Sequence, residues 1–448
     1  MLRILIKARN IVTVNNSDDY LTDSAVEITD GIITKIDSEK SFNLNEYDKV
    51  FDYSDFTLIP GFVQTHVHLC QTLFRGLADD LELLDWLQNR IFPFENSHTY
   101  QSLKSSAQIG LYELQAGGTT TILDMGTINH HEAVFEQLGY SGMRAYSGKC
   151  MVDENDLLPI FKETKDDSLK KSYDLAKEFH RTENGRLNYA FAPRFVLSCS
   201  EEMLKETYEM MFDFPGTLYH THSSDNKGEI AAVKSKTGME NIEYFNSIGV
   251  LGERTVLAHG IHVNDKEIEI LKSTKTRIAH CPSANLKLAS GIADIPRYLE
   301  EGVSISIGAD GPPCNNNLSQ FMEMRLASLI QKPFHGPTSM DSKSVFRLAT
   351  IEGAKALHLE DEIGSIEVGK KADLVLLDLN TPVQPLIIDE QNIYSTIIYS
   401  SSPENVKSVF IDGREVVHNG ESTVYDRDEI FSEAKKELKE LLNRSSIN

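Results

Sequence analysis

Thr57-Leu-Ile-Pro-Gly-Phe-Val-Gln-Thr-His-Val-His68 is a β-rich apolar run, interrupted at Pro60-Gly61 and closed by two imidazoles at i and i+2. Alternate side chains of a strand share a face, so His66 and His68 point the same way and can grip one metal ion. The chain is therefore a candidate metalloenzyme.

Downstream of this run, short apolar strands alternate with helical periods. Thr119-Thr-Thr-Ile-Leu-Asp124, Leu187-Asn-Tyr-Ala-Phe-Ala192, Thr217-Leu-Tyr-His-Thr-His222, Thr255-Val-Leu-Ala-His259, Arg277-Ile-Ala-His280 and Ser304-Ile-Ser-Ile-Gly-Ala-Asp310 read as buried strands. Leu103, Ala107, Leu111 and Leu114 repeat at helical spacing before Gly117-Gly118, and Asn264-Asp-Lys-Glu267 opens a further helix as a capping box. With the strand carrying His66 and one at Arg144-Ala-Tyr-Ser147, the alternation predicts an α/β chain built on a (β/α)8 barrel.

The two ends have a different texture. Leu2-Ile4-Ile6, Ile11-Val12-Thr13-Val14, Ala25-Val26-Glu27-Ile28 and Ile32-Ile33-Thr34-Lys35-Ile36 are separated by turn residues such as Asp30-Gly31, which predicts a small antiparallel sheet. Strands return at Ala372 to Asp378 and at Val406 to Val417, the latter hinged at Asp412-Gly413. The two ends are expected to meet as one β domain, residues 1–57 with 366–448, around a barrel at 58–365. Glu429 to Leu442 carries Ile430, Phe431, Ala434, Leu438 and Leu441 on one face and is expected to dock as a helix.

A chain of 448 residues has room for more than a barrel of roughly 250. Its 44 Lys+Arg against 67 Asp+Glu, a net charge of -23, disfavours nucleic acid and anionic membrane as partners and favours a neutral or cationic small molecule. No apolar run approaches the roughly 20 residues of a membrane span, and Met1-Leu-Arg-Ile-Leu-Ile-Lys7 does not read as a secretory leader. Cys70, Cys150, Cys199, Cys281 and Cys314 are scattered and read as reduced, buried thiols of a cytoplasmic protein.

Four of the strands finish in a potential ligand: His68, His222, His259 and Asp310. In a barrel all strand C-termini face one mouth, so residues distant in sequence converge there. His130-His131 lies in a polar connection and is expected to be solvated.

Pro60 to His68, Gly117-Gly-Thr-Thr120, His220-Thr-His222, Leu257-Ala-His259, His280-Cys-Pro-Ser-Ala-Asn285, Gly308-Ala-Asp310 and Gly364 to Asp373 together resemble the amidohydrolase superfamily, in its branch of adenosine-type and guanine deaminases and triazine hydrolases. The resemblance implies a β-sandwich from both termini around a metal-bearing (β/α)8 barrel, and a homodimer or larger assembly. It implies that His66, His68, His222 and Asp310 hold one divalent metal. Zinc suits three imidazoles and a carboxylate with a position left for water, and the same donors admit iron(II) or manganese(II). By the same resemblance Asp310 also takes the proton of the attacking water and His259 sits beside it, while His220 lies deeper and is structural. His280, with Cys281 after it, is expected to pack near the site.

The family's acid is a glutamate three residues after the ligand of the fifth barrel strand. Here that position is Asp225, one methylene shorter. Glu229 is the nearest alternative, and the other reading of Asp225 is a helix N-terminal charge that only satisfies backbone amides. The segment Thr72 to Asp80, with Leu84-Asp-Trp-Leu87 and Ile91-Phe-Pro-Phe-Glu95, resembles the loop of deaminases of S-adenosylhomocysteine, methylthioadenosine and 5′-deoxyadenosine. That places Trp86 near the base and Glu95 on the ribose hydroxyls, although Trp86 also fits as a core anchor of its own loop. Where those enzymes often carry histidine, this chain has Arg194, which either binds a substrate carboxylate or carbonyl or pairs with an acid at the mouth. The expected activity is hydrolytic removal of a ring amine from a 5′-modified adenosine. Guanine, pterin or triazine hydrolysis is the enzyme alternative, and a non-catalytic scaffold the other.

Overall fold

A computed structural model describes residues 1–445 and 447. Its strands fall into two sheets that part company at Pro60-Gly61.

The first sheet is assembled from both ends of the chain. The N-terminal end supplies β1 (Arg3–Val12), β2 (Tyr20–Thr29), β3 (Ile32–Ser38) and β4 (Lys49–Pro60). The C-terminal end supplies β14 (Leu374–Leu377), β15 (Val406–Ile411), β16 (Arg414–His418) and β17 (Glu421–Ser422), in the order β17-β16-β15-β14-β4-β1-β2-β3. It is mixed rather than purely antiparallel, because β4 returns beside β1 in parallel after a connection that carries the chain back to its starting edge. The sheet curls on itself: a Cβ at Gly31 would lie 2.6 Å from the Asp412 carbonyl oxygen, so the Asp30-Gly31 and Asp412-Gly413 turns abut. Gly31 has φ +82° at this contact, which only glycine meets without strain. The concave face buries Ile4, Ile6, Val26, Ile28, Leu58, Leu374, Leu376 and Phe410.

The second sheet is the barrel: β5 (Phe62–Val67), β6 (Thr119–Met125), β7 (Arg144–Gly148), β9 (Leu187–Pro193), β10 (Leu218–Ser223), β11 (Thr255–His259), β12 (Arg277–His280) and β13 (Ile305–Ile307). The short β8 (Cys150–Met151) pairs with β9. All neighbours are parallel, as βαβ crossovers demand, and the strands are buried on both faces. The barrel closes between β13 and β5, where Thr65 and Ser306 hydroxyls meet at 2.7 Å and Val67 bridges Asp310.

Two contacts position the site region from outside. Arg144, at the start of β7, donates to Asp373 at 2.7 Å and to Asp412 at 2.6 Å, tying barrel to sheet in a buried cluster. The last helix, α1 (Arg427–Ser445), lays Ala434 and Leu441 against Leu73, Phe74 and Phe94 and so braces the loop that follows β5. Phe431, expected on that docking face, lies at its edge and is partly exposed beside Tyr112. Among the described residues no helix is long and apolar enough to cross a membrane, and all five cysteines are free and buried.

Candidate metal centre and active-site pocket

The four strand-end groups meet at the C-terminal mouth. His68 directly follows β5, His222 is the penultimate residue of β10, and His259 ends β11. Asp310 lies three residues past β13, whose regular pairing stops at Ile307, and it is the β5 edge that holds it: the Asp310 amide donates to the His66 carbonyl at 3.0 Å. Gly308 makes this approach feasible, since a Cβ there would sit 2.6 Å from the His66 carbonyl oxygen and 2.7 Å from its nitrogen. His259 and Asp310 adopt φ of 76° and 62°, so two reactive side chains stand on strained backbone that the surrounding barrel imposes.

Hydrogen bonds set the ring tautomers. Nδ1 of His68 lies 2.7 Å from the Met125 carbonyl, and Nδ1 of His222 lies 2.8 Å from the Arg194 carbonyl. A carbonyl only accepts, so each Nδ1 carries the proton and, in a neutral ring, each Nε2 is bare. Burial holds His222 well below the ordinary imidazole range and lowers His66 to about 4. Yet the Nε2 atoms of His68 and His222 lie 3.3 Å apart, a hydrogen-bond distance across which neither has a proton to give. Asp310 Oδ1 is 3.3 Å from Nε2 of both His66 and His68.

A tetrahedral shell with bonds of about 2.0–2.1 Å separates its donors by about 3.3–3.4 Å. The observed spacings match that edge, and His66 Nε2 is buried without a hydrogen-bond partner among the described residues. His66, His68 and Asp310 each offer a ligand atom within 4.8 Å of the others, and so do His66, His222 and His259. The donor set fits a divalent cation.

His259 stands at the border of this cluster. Its Nδ1 is 2.9 Å from Asn285 Oδ1, and its Nε2 faces Asp225 Oδ2 at 3.7 Å and Asp310 Oδ2 at 3.8 Å. Burial works against a charged ring here, but the two carboxylates outweigh it and raise the His259 pKa. Asp225 precedes the helix α2 (Lys227–Thr237), whose N-cap is Asn226, so Asp225 is not the capping residue. Its carboxyl is buried, its Oδ1 has no partner among the described residues, and burial raises its pKa, with the charge of Asp310 adding to the effect. Glu229, in the first turn of α2, is also buried; it accepts from Asn241, and burial pushes it up to about 8.

His68, His222, Asp225, Glu229, His259 and Asp310 line a pocket with an apolar wall of Leu83, Trp86, Leu87, Phe195 and Leu288. Trp86 both lines the pocket and packs into the apolar cluster of its loop. Arg194 reaches the pocket, whereas Glu95 sits behind it: Arg194 donates to the Glu95 carboxylate at 2.9 and 3.2 Å, and Gln71 donates to the same group at 2.8 Å. Arg194 also lies 4.9 Å over the Phe92 ring.

Sequence reading gave no role to Gln71 or Asn285. Gln71 comes one turn after His68, in the gap before the Thr72 to Asp80 segment, whereas Asn285 closes the His280-Cys-Pro-Ser-Ala-Asn285 motif and stood within a legible segment. His131 departs from the expected solvation: it is 1% exposed and bonded to the Ser147 hydroxyl at 2.9 Å, while His130 is exposed. His280 is buried with neither ring nitrogen hydrogen-bonded among the described residues.

Residues 57–416 match the family model described as Amidohydrolase family. The chain is 38% identical over 399 residues to 5′-deoxyadenosine deaminase of Methanobrevibacter smithii, covering 89% of each chain. It is 33% identical over 432 residues to 5-methylthioadenosine/S-adenosylhomocysteine deaminase of Bacillus cereus, covering 95% of this chain and 96% of the relative. An adenosine deaminase from Xanthomonas campestris, solved with bound zinc, superposes with a TM-score of 0.90 at 27% identity over 99% of both chains.

Proposed function

We propose that this chain, which belongs to the amidohydrolase family, replaces the exocyclic amine of adenine with oxygen in a 5′-modified adenosine, releasing ammonia. The observation that carries the metal dependence is the pair of Nε2 atoms of His68 and His222, 3.3 Å apart beside Asp310 on rings whose Nδ1 atoms both donate to backbone carbonyls. The relatives at 38% and 33% identity, both named as deaminases of 5′-modified adenosines, support the substrate class. So does the shape of the site: Phe195 lines both the pocket and a wider groove of about 700 Å³, flanked by Leu84, Leu197, Asn155, Asp156 and Lys162, with room for a 5′ substituent.

His66, His68, His222 and Asp310 would hold the cation, zinc being the first choice for this donor set. When bound, the cation lowers the pKa of water toward neutrality and so supplies a nucleophile for the ring carbon. Asp310 offers Oδ1 to the ligand cluster and turns Oδ2 toward His259, so the proton leaving the attacking water is received between these two groups. Asp225, its carboxyl in a dry pocket that favours the protonated form, gives a proton to the ring nitrogen; the proton received between Asp310 and His259 passes to the amine, which departs as ammonia while the added hydroxyl returns its proton to Asp225 and becomes the carbonyl. Trp86 and Leu288 present apolar surface to the base.

Ammonia release by the zinc-loaded protein tests this reading. Turnover is expected with 5′-deoxyadenosine, methylthioadenosine or S-adenosylhomocysteine and not with guanine or a triazine. Failure to turn over any adenosine overturns it.

A further inference from the structure

Each donor ring needs something to hold its proton on Nδ1. His68 and His222 each use a backbone carbonyl directly. Among the described residues His66 Nδ1 bonds to no carbonyl. Its Nδ1 instead lies 2.7 Å from Nε2 of His220, whose own Nδ1 lies 2.9 Å from the Val256 carbonyl. All three groups are buried: His66 and His220 are 0% exposed, and Val256 is a core residue of β11.

The proton positions follow from one end of this chain. The Val256 carbonyl can only accept, so His220 Nδ1 carries a proton. Among the described residues no carboxylate contacts the buried His220 ring, so nothing balances a second proton there and its Nε2 is bare. A bare Nε2 facing His66 Nδ1 at 2.7 Å requires the proton to sit on His66 Nδ1. The one arrangement that satisfies every contact therefore leaves His66 Nε2 unprotonated, and that is the buried atom without a hydrogen-bond partner among the described residues, facing Asp310. The opposite tautomer would turn the His220 Nδ1 lone pair onto a carbonyl oxygen at 2.9 Å.

We propose that His220 is a positioning residue: linked to the Val256 carbonyl, it fixes His66 as the Nδ1–H tautomer and so keeps Nε2 available as a donor to the divalent cation. The role rests on the metal-centre reading above. It also accounts for a second histidine two residues before His222 on the same strand face: β10 supplies one ring to the cation and another to orient a ring from β5.

Two measurements test it. In the metal-free protein with 15N-labelled histidine, long-range 1H–15N spectra are expected to show His66 protonated on Nδ1 and bare on Nε2, its signals assigned by their loss in His66→Asn. The reverse tautomer overturns the proposal. Zinc dissociation constants, measured by competition with a chromophoric chelator, are expected to rise about ten- to a hundredfold in His220→Leu, which has no acceptor. His220→Gln, whose amide oxygen still accepts from Nδ1, is expected to recover most of that loss. Unchanged affinity in His220→Leu overturns the proposal; if that variant does not fold, the tautomer measurement decides. A parent protein that binds no zinc or manganese sinks the metal centre instead, and the tautomer of the metal-free protein still decides what His220 does.

Discussion

Arg194 grips Glu95 with both arms of its guanidinium, at 2.9 and 3.2 Å, in a pair whose side chains are 3% and 0% exposed. Burial alone would push the Glu95 carboxyl up; Arg194 outweighs it and holds the pKa down. Removing one member of such a pair costs about 3–5 kcal/mol, because an uncompensated charge stays in a dry site. Arg194→Met is therefore expected to lower the urea midpoint severely, and Glu95→Gln/Arg194→Met to recover much of the loss. A double variant no more stable than Arg194→Met refutes the coupling.

Asp225 and its shorter reach lead to a second expectation. Asp225→Asn removes the proton donor and should lower kcat by about 10²–10⁴-fold, with metal content unchanged. Asp225→Glu keeps the acid and should retain measurable turnover. Metal analysis alongside steady-state rates checks both, and full activity in Asp225→Asn moves the acid to Glu229.

Gly308→Ala tests the seam of the barrel. The new methyl would meet backbone atoms of His66 at 2.6 and 2.7 Å, which cannot rotate away. A destabilisation of about 1–3 kcal/mol is expected, with weakened zinc binding, since the strand carrying His66 must shift. Zinc titration and urea unfolding report the two effects, and parental values in both contradict the account.

Acid should unfold the protein from an unusually high pH. Burial lowers His98 to about 4 and His131 to about 3. An unfolded imidazole titrates near 6.5. Between these values the unfolded chain binds protons that the folded chain refuses, so stability present above about pH 6.5 is lost as pH falls. The slope is roughly 1.4 kcal/mol per pH unit per group. Urea midpoints at pH 7.5 and 5.5 measure it; equal midpoints would falsify the idea.

The barrel and its ligands were legible because strand ends and histidines recur together in the sequence. His68, His222 and His259 stand within one residue of a strand's end, and Asp310 closes the run read as the last strand. That run is regular only from Ile305 to Ile307; the approach to His66 rests on Gly308, which spacing could not reveal. The partners of Arg194 and His220 were also out of reach. Both contacts join segments far apart in the chain, 99 residues for Arg194 to Glu95 and 154 for His66 to His220, and depend on which way a ring or a guanidinium turns. His131 was misread because a polar neighbourhood in sequence says nothing of the Ser147 hydroxyl that β7 delivers to it.

The bridge from Val67 to Asp310 completes the ring of strands at the same point where the ligands gather. A cation there is a rivet through the joint of a hoop: it clamps the first stave to the last. Chelation should thus leave both the chemistry and the circumference slack, and exchange of the β5 and β13 amides with solvent should quicken together when the ion departs.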